Sequence, residues 1–138
     1  MKRYCLNWDD RRHCIGIGAL DSQHKELVAQ VNRIAQSIDQ KKPAGEINVL
    51  MDELVRLARA HFEFEEGLMT EHGFPGADAH AREHRGLLER LANLSEVMHT
   101  SNPHKVELVL AFITDWAELH LLQGEKVLGE YLSSKGLS

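Results

Sequence analysis

"INVLMDELVRLARAHFEFEEGLM", residues 47–69, is the stretch on which the reading of the chain turns. Ile47, Leu50, Met51, Leu54, Ala58, Phe62, Leu68 and Met69 recur every three or four positions, the period of a helix with one buried face. Two polar residues interrupt that face. His61 and Glu65 stand one helical turn apart on the stripe itself. Leucine at either place would bury without penalty, whereas an imidazole or carboxylate taken out of water needs a partner.

Working outward, the same period appears three more times, separated by turn signals and without strand-like alternation. One segment follows Asp21, a good N-cap, and carries Leu27, Val28, Val31, Ile34, Ala35 and Ile38. A second opens at Pro43, holds the quoted stretch, and stops at the breaker "HGFPG", residues 72–76. A third carries Leu87, Leu88, Leu91, Leu94 and Met98. The fourth, after "HTSNPH", carries Val106, Val109, Leu110, Ile113, Trp116, Ala117, His120, Val127, Leu128 and Tyr131. Helices are therefore expected at about 21–41, 43–71, 78–99 and 103–133. One apolar face per helix and short connections predict an all-α fold, an antiparallel up-down-up-down four-helix bundle. Residues 1–20 read as an N-terminal arm whose Tyr4, Leu6, Trp8, Ile15, Ile17 and Leu20 cover one side.

Composition narrows the classes. At 138 residues, residues 1–138 are expected to form a single domain able to bury a core unaided. A net charge of -5 leaves no basic footprint, so neither nucleic acid nor an anionic membrane surface is an expected partner. No apolar run is long enough to span a bilayer, and "MKRYCLNWDDRRH" lacks the apolar core of a signal peptide. The cytoplasm is the expected location, and a monomer the expected state. Cys5 and Cys14 match no zinc or dithiol spacing and read as small apolar fillers, with a redox pair as the alternative.

Histidine is over-represented, with nine in the chain. By periodicity, five of them (His24, His61, His80, His84 and His120) join Glu65 in facing the bundle axis. A single core histidine is ordinarily satisfied by a backbone carbonyl. Five of them with a carboxylate make that explanation expensive. A metal centre resolves the conflict, because His80 and His84 can ligate one ion from successive turns, and His61 and Glu65 repeat that spacing. Imidazole with carboxylate favours iron, zinc or manganese over calcium and magnesium. The donors outnumber the needs of one tetrahedral zinc, and two ions with bridging carboxylates fit the count better. His13, His72, His99 and His104 read as surface or loop side chains.

These residues resemble the hemerythrin family, in particular its single-domain bacterial members. The resemblance rests on Trp8-Asp9, "GIGALDSQH" at 16–24, "HFEFEEGLM" at 61–69, "HAREH" at 80–84 and "WAELHLLQGE" at 116–125, in order along nearly the whole chain. It implies a non-haem centre of two iron ions joined by an oxo or hydroxo bridge. His24 and His61 would hold one iron, and His80, His84 and His120 the other, with Glu65 bridging. The family has an aspartate five residues beyond the fourth-helix histidine, where this chain has Glu125. An offset of five turns the helix by about 140°, so His120 and Glu125 do not share a face of an ideal helix. Glu125 is expected to bridge or ligate, the alternative being a solvated surface residue.

The resemblance implies reversible dioxygen binding for storage, delivery or sensing, without enzymatic turnover. Leu27, Phe62, Trp116, Leu121 and Leu122 are the candidate lining of a dry oxygen pocket. An oxygen-consuming enzyme or a redox protein would be the partner. A competing reading is a di-iron oxidoreductase acting on oxygen, peroxide or nitric oxide, with Glu125 altering the centre. A third is a zinc-binding storage or structural bundle.

Overall fold

The computed structural model describes residues 9–98, 111–117 and 125–138, apart from the side chains of residues 10, 12, 97 and 98. Among them the chain is all helical: α1 (Asp10–His13), α2 (Gly18–Asp39), α3 (Ala44–Glu71), α4 (Ala77–Met98) and α5 (Glu125–Ser134), with residues 111–117 also helical. Helix α3 packs against both α2 and α4. None of the described helices is long and apolar enough to cross a membrane. Of the expected fourth helix, residues 103–110 and 118–124 lie outside the described residues, as do Tyr4, Cys5, Leu6, Trp8, His99 and His104.

The apolar stripes make two clusters. The larger contains Leu27, Val31, Ile34, Met51, Leu54, Phe62, Leu91, Ile113 and Trp116. The smaller gathers Ile15, Ile17, Leu20, Met69, Leu128 and Leu132. Each fully buried side chain of this size contributes roughly 1.5–3 kcal/mol relative to exposure. Along α2 and α4 the histidines, and along α3 Glu65, fall between the residues of one cluster and those of the other, with His61 beside Phe62 at the edge of the larger cluster. The polar residues thus form a layer with apolar packing above and below it.

Several local expectations are corrected. Helix α2 begins at Gly18, ahead of Asp21, and its N-cap Ile17 supplies no side-chain hydrogen bond. Asp21 instead accepts bonds from the backbone N–H groups of Ile15 (2.8 Å) and Gly16 (3.2 Å), so it ties down the chain before the helix. His13 is buried rather than on the surface, and its Nδ1 accepts the Asp9 N–H at 2.9 Å. Val127 is 62% exposed, because Glu125 takes the inward direction and a residue two positions on points away. His72 does lie in a turn. It is half-buried after α3, where Gly73 takes a φ of 65° and Phe74 N–H closes back on the Met69 carbonyl at 2.9 Å.

Two contacts locate α5. Tyr131 donates its hydroxyl to the carbonyls of His72 (2.7 Å) and Gly73 (3.0 Å), fastening α5 to the turn between α3 and α4. Gly129 lies so close to Ile15 that an added Cβ would sit 2.6 Å from the Ile15 carbonyl oxygen and 2.7 Å from its Cβ. Gly129→Ala is therefore expected to destabilise the protein by about 1–3 kcal/mol, whereas Gly86→Ala, in open space, should stabilise it by about 0.5–1 kcal/mol. Thermal or urea unfolding of the two variants against the parent checks both signs.

Candidate metal centre

Four helices deliver the polar layer. His24 comes from α2, His61 and Glu65 from successive turns of α3, His80 and His84 from successive turns of α4, and Glu125 from the first residue of α5. All are buried except His80, which keeps slight exposure, and both carboxylates are at 0%. Glu125 is thus not a solvated surface residue.

The four imidazoles turn Nε2 toward the carboxylates. Glu65 Oε2 lies 3.2 Å from His61 Nε2, while its Oε1 lies 2.7 Å from His80 Nε2 and 3.2 Å from His84 Nε2. Glu125 repeats the division at longer range, with Oε2 at 3.6 Å from His24 Nε2 and Oε1 at 3.8 Å from His80 Nε2. His24 and His61 meet at 3.2 Å between their Nε2 atoms, rings at 71°. His80 and His84 stack edge to face, 4.5 Å between centroids. The result is two overlapping donor groups, His24–His61–Glu65–Glu125 and Glu65–His80–His84–Glu125, the donor atoms of each lying within 4.8 Å of one another. Each carboxylate offers one oxygen to each pair of imidazoles.

The residues behind the imidazoles were not singled out by periodicity. His61 Nδ1–H donates to Gln23 Oε1 at 2.7 Å, and His84 Nδ1–H donates to Glu66 Oε2 at 3.1 Å. Each neighbours a predicted site residue in sequence, Gln23 before His24 and Glu66 after Glu65, and that adjacency was the available signal. Phe62 lies flat on the His84 ring, 4.0 Å between centroids at 9°, and meets Trp116 edge-on at 6.3 Å. Leu27, Phe62 and Trp116 are buried in the larger apolar cluster. His120, Leu121 and Leu122 lie outside the described residues.

Charge in this layer is set by competition between burial and hydrogen bonding. Burial pushes the Glu65 carboxyl up, but hydrogen bonds with His61, His80, His84 and Glu125 outweigh it and hold the group well below the usual carboxylate range. Burial lowers His80, yet Glu125 and Glu65 reverse that and raise it from 6.5 to about 10. A cation is what two buried carboxylates call for.

Residues 15–132 match the family model of the hemerythrin HHE cation binding domain. The chain belongs to the hemerythrin family. Both donor groups fall within the matched residues, and the family's description is of cation binding. Among relatives, the bacteriohemerythrin of Stenotrophomonas maltophilia (strain R551-3) is 38% identical over 89 residues, 63% of this chain and 56% of that protein. The bacteriohemerythrin of Pseudomonas aeruginosa (strain LESB58) is 33% identical over 87 residues, with the same 63% and 56% coverage. The match therefore spans little more than half the length of these relatives. A crystal structure of wild-type hemerythrin superposes with a TM-score of 0.80 at 26% identity, over 93% of this chain and 98% of that one. The hemerythrin-like fold thus extends well beyond the stretch aligned with the two bacterial sequences.

The His80 shift carries a sign that can be checked in protein held metal-free by a chelator. A raised folded-state value gives stability that is complete below 6.5 and is lost as pH rises toward and through about 10. The thermal midpoint should fall across that window, and His80→Gln should flatten that part of the profile.

Proposed function

We propose that this protein binds dioxygen reversibly at a non-haem di-iron centre, for storage, delivery or sensing of oxygen. The observation that carries the proposal is the division of Glu65 and Glu125, one oxygen of each toward His24 and His61 and the other toward His80 and His84. A carboxylate placed between two nitrogen-donor groups is suited to bridging two cations. The donor set fits iron: imidazole nitrogens with carboxylate oxygens, rather than the all-oxygen shells of calcium and magnesium. In this reading His24 and His61 would hold one iron, His80 and His84 would hold the other together with His120, and Glu65 and Glu125 would be shared between the two. When bound, a ferrous pair supplies the two electrons that reversible uptake of dioxygen draws on.

The protein's own contribution is placement and exclusion of water. Gln23 and Glu66 accept the outer imidazole protons, so that with a cation bound the inner Nε2 atoms would carry no hydrogen and offer their lone pairs to it. Leu27, Phe62 and Trp116, buried together in the larger apolar cluster, would keep water and stray protons from the bound gas. Reversibility depends on that dryness, since water and protons promote irreversible oxidation.

The proposal includes an antiparallel up-down-up-down four-helix bundle. Gln23 reaches His61 while Gln30 reaches the Leu50 carbonyl at 2.9 Å, so α3 runs back along α2. Along α2 the smaller cluster precedes the larger, along α3 the order reverses, and along α4 it reverses again. From Ile113 and Trp116 to Leu128 the order reverses once more, as a descending fourth helix requires.

The decisive experiment is optical. Iron-loaded protein is reduced without oxygen, exposed to oxygen and returned to anaerobic conditions while the visible spectrum is recorded. A charge-transfer band that appears and vanishes over repeated cycles is the expected result. Immediate and lasting conversion to a ferric spectrum overturns reversible binding in favour of a di-iron oxidoreductase, in which the extra methylene of Glu125 has altered the centre.

A further inference from the structure

The two donor groups are matched in their described residues, each with two imidazoles and the same two carboxylates. They differ one bond further out. Behind His61 stands the neutral amide of Gln23, at 2.7 Å from Nδ1. Behind His84 stands the carboxylate of Glu66, at 3.1 Å from Nδ1. Either acceptor fixes the tautomer that carries hydrogen on Nδ1 and presents the Nε2 lone pair inward.

Orientation is all that the amide can supply. A carboxylate also draws on the Nδ1 proton, moves electron density toward Nε2 and so strengthens the bond from Nε2 to a cation. Glu66 can act in this way at little desolvation cost, because its side chain is 32% exposed. Phe62 already fixes the plane of the His84 ring by stacking on it, at 9°. The contribution of Glu66 is therefore more electronic than steric.

Resting on the two-metal reading above, in which His120 already gives one position an extra imidazole, we propose that Glu66 and Gln23 are positioning residues that widen the difference between the two metal positions. The ion beside His80 and His84 is held more firmly because His84 leans on a carboxylate. The ion beside His24 and His61 is held less firmly because His61 leans on an amide. Such a centre fills and empties in a set order, with the Glu66 side first to load and last to lose its metal.

Cobalt(II) tests this without recourse to oxygen. Metal-free full-length protein is titrated with cobalt(II) against a chromophoric chelator, with the visible ligand-field bands recorded at each step. Two ions per chain in two resolved steps are expected for the parent. Glu66→Gln should weaken the tighter step by about 10- to 100-fold, shift its bands and leave the weaker step in place. Gln23→Glu should strengthen the weaker step by a factor on the order of 10, drawing the two steps together. That second variant gains affinity, a result that misfolding cannot produce. Circular dichroism of the metal-free variants should match the parent. Two ions whose steps ignore Glu66→Gln, or move together with it, overturn this inference and leave the two-metal centre standing. Fewer than two ions in the parent overturn the centre, and the inference with it.

Discussion

A carboxylate wholly removed from water needs a nitrogen or a cation near both oxygens, and each oxygen of Glu65 is faced by imidazole from a different helix. His61, one turn back on α3, faces Oε2. His80 and His84 from α4 face Oε1. That requirement fixes the distance between the two helices at the level of the polar layer. Helix α2 is drawn in by His24 against His61, and α5 by the approach of Glu125 to His24 and His80. Apolar packing could tolerate small slides of one helix along another, but a layer of directed polar contacts cannot. The two apolar clusters then act from either side, keeping bulk water from competing for the buried nitrogens and oxygens.

Burial and charge pull against each other throughout this layer, and the sequence spaces the opposing groups so that the conflict is contained. Glu65 remains ionised in spite of its burial because imidazoles on two helices supply hydrogen bonds. His80 takes up a positive charge because two carboxylates converge on it. The protein stripped of metal is thus provided with a proton where the loaded protein would carry a cation.

How legible all this was in the sequence depends on how local the cause is. His24, His61, Glu65, His80 and His84 stand out because each breaks an apolar period that neighbouring residues define. The inward turn of Glu125 was less local, resting on the resemblance to the family's spacing rather than on the stripe. Periodicity alone would have let Val127 share that stripe, and the structure turns it outward. Asp21 was misplaced for a different reason. An aspartate near a helix start can serve its own helix or the chain before it, and only the path of Ile15 and Gly16 decides between them. His13 is buried by packing that no periodic signal announces. Gln23 and Glu66 look like ordinary polar flanks until the imidazoles they support are in view.

Tyr131 and Glu125 occupy one helix, and each is held to something outside it. The tyrosine hydroxyl is bound to two carbonyls at the turn after α3, while the carboxylate reaches the histidines at the other end of α5. The intervening residues therefore act as a ruler. Adding or removing one of them would rotate Glu125 by about 100° relative to its anchor and carry it off the polar layer. Substitutions between the two can be absorbed wherever Gly129 keeps its clearance from Ile15, but a change in length cannot. Lineages of this chain should accordingly vary in the letters of that interval and hold its count constant.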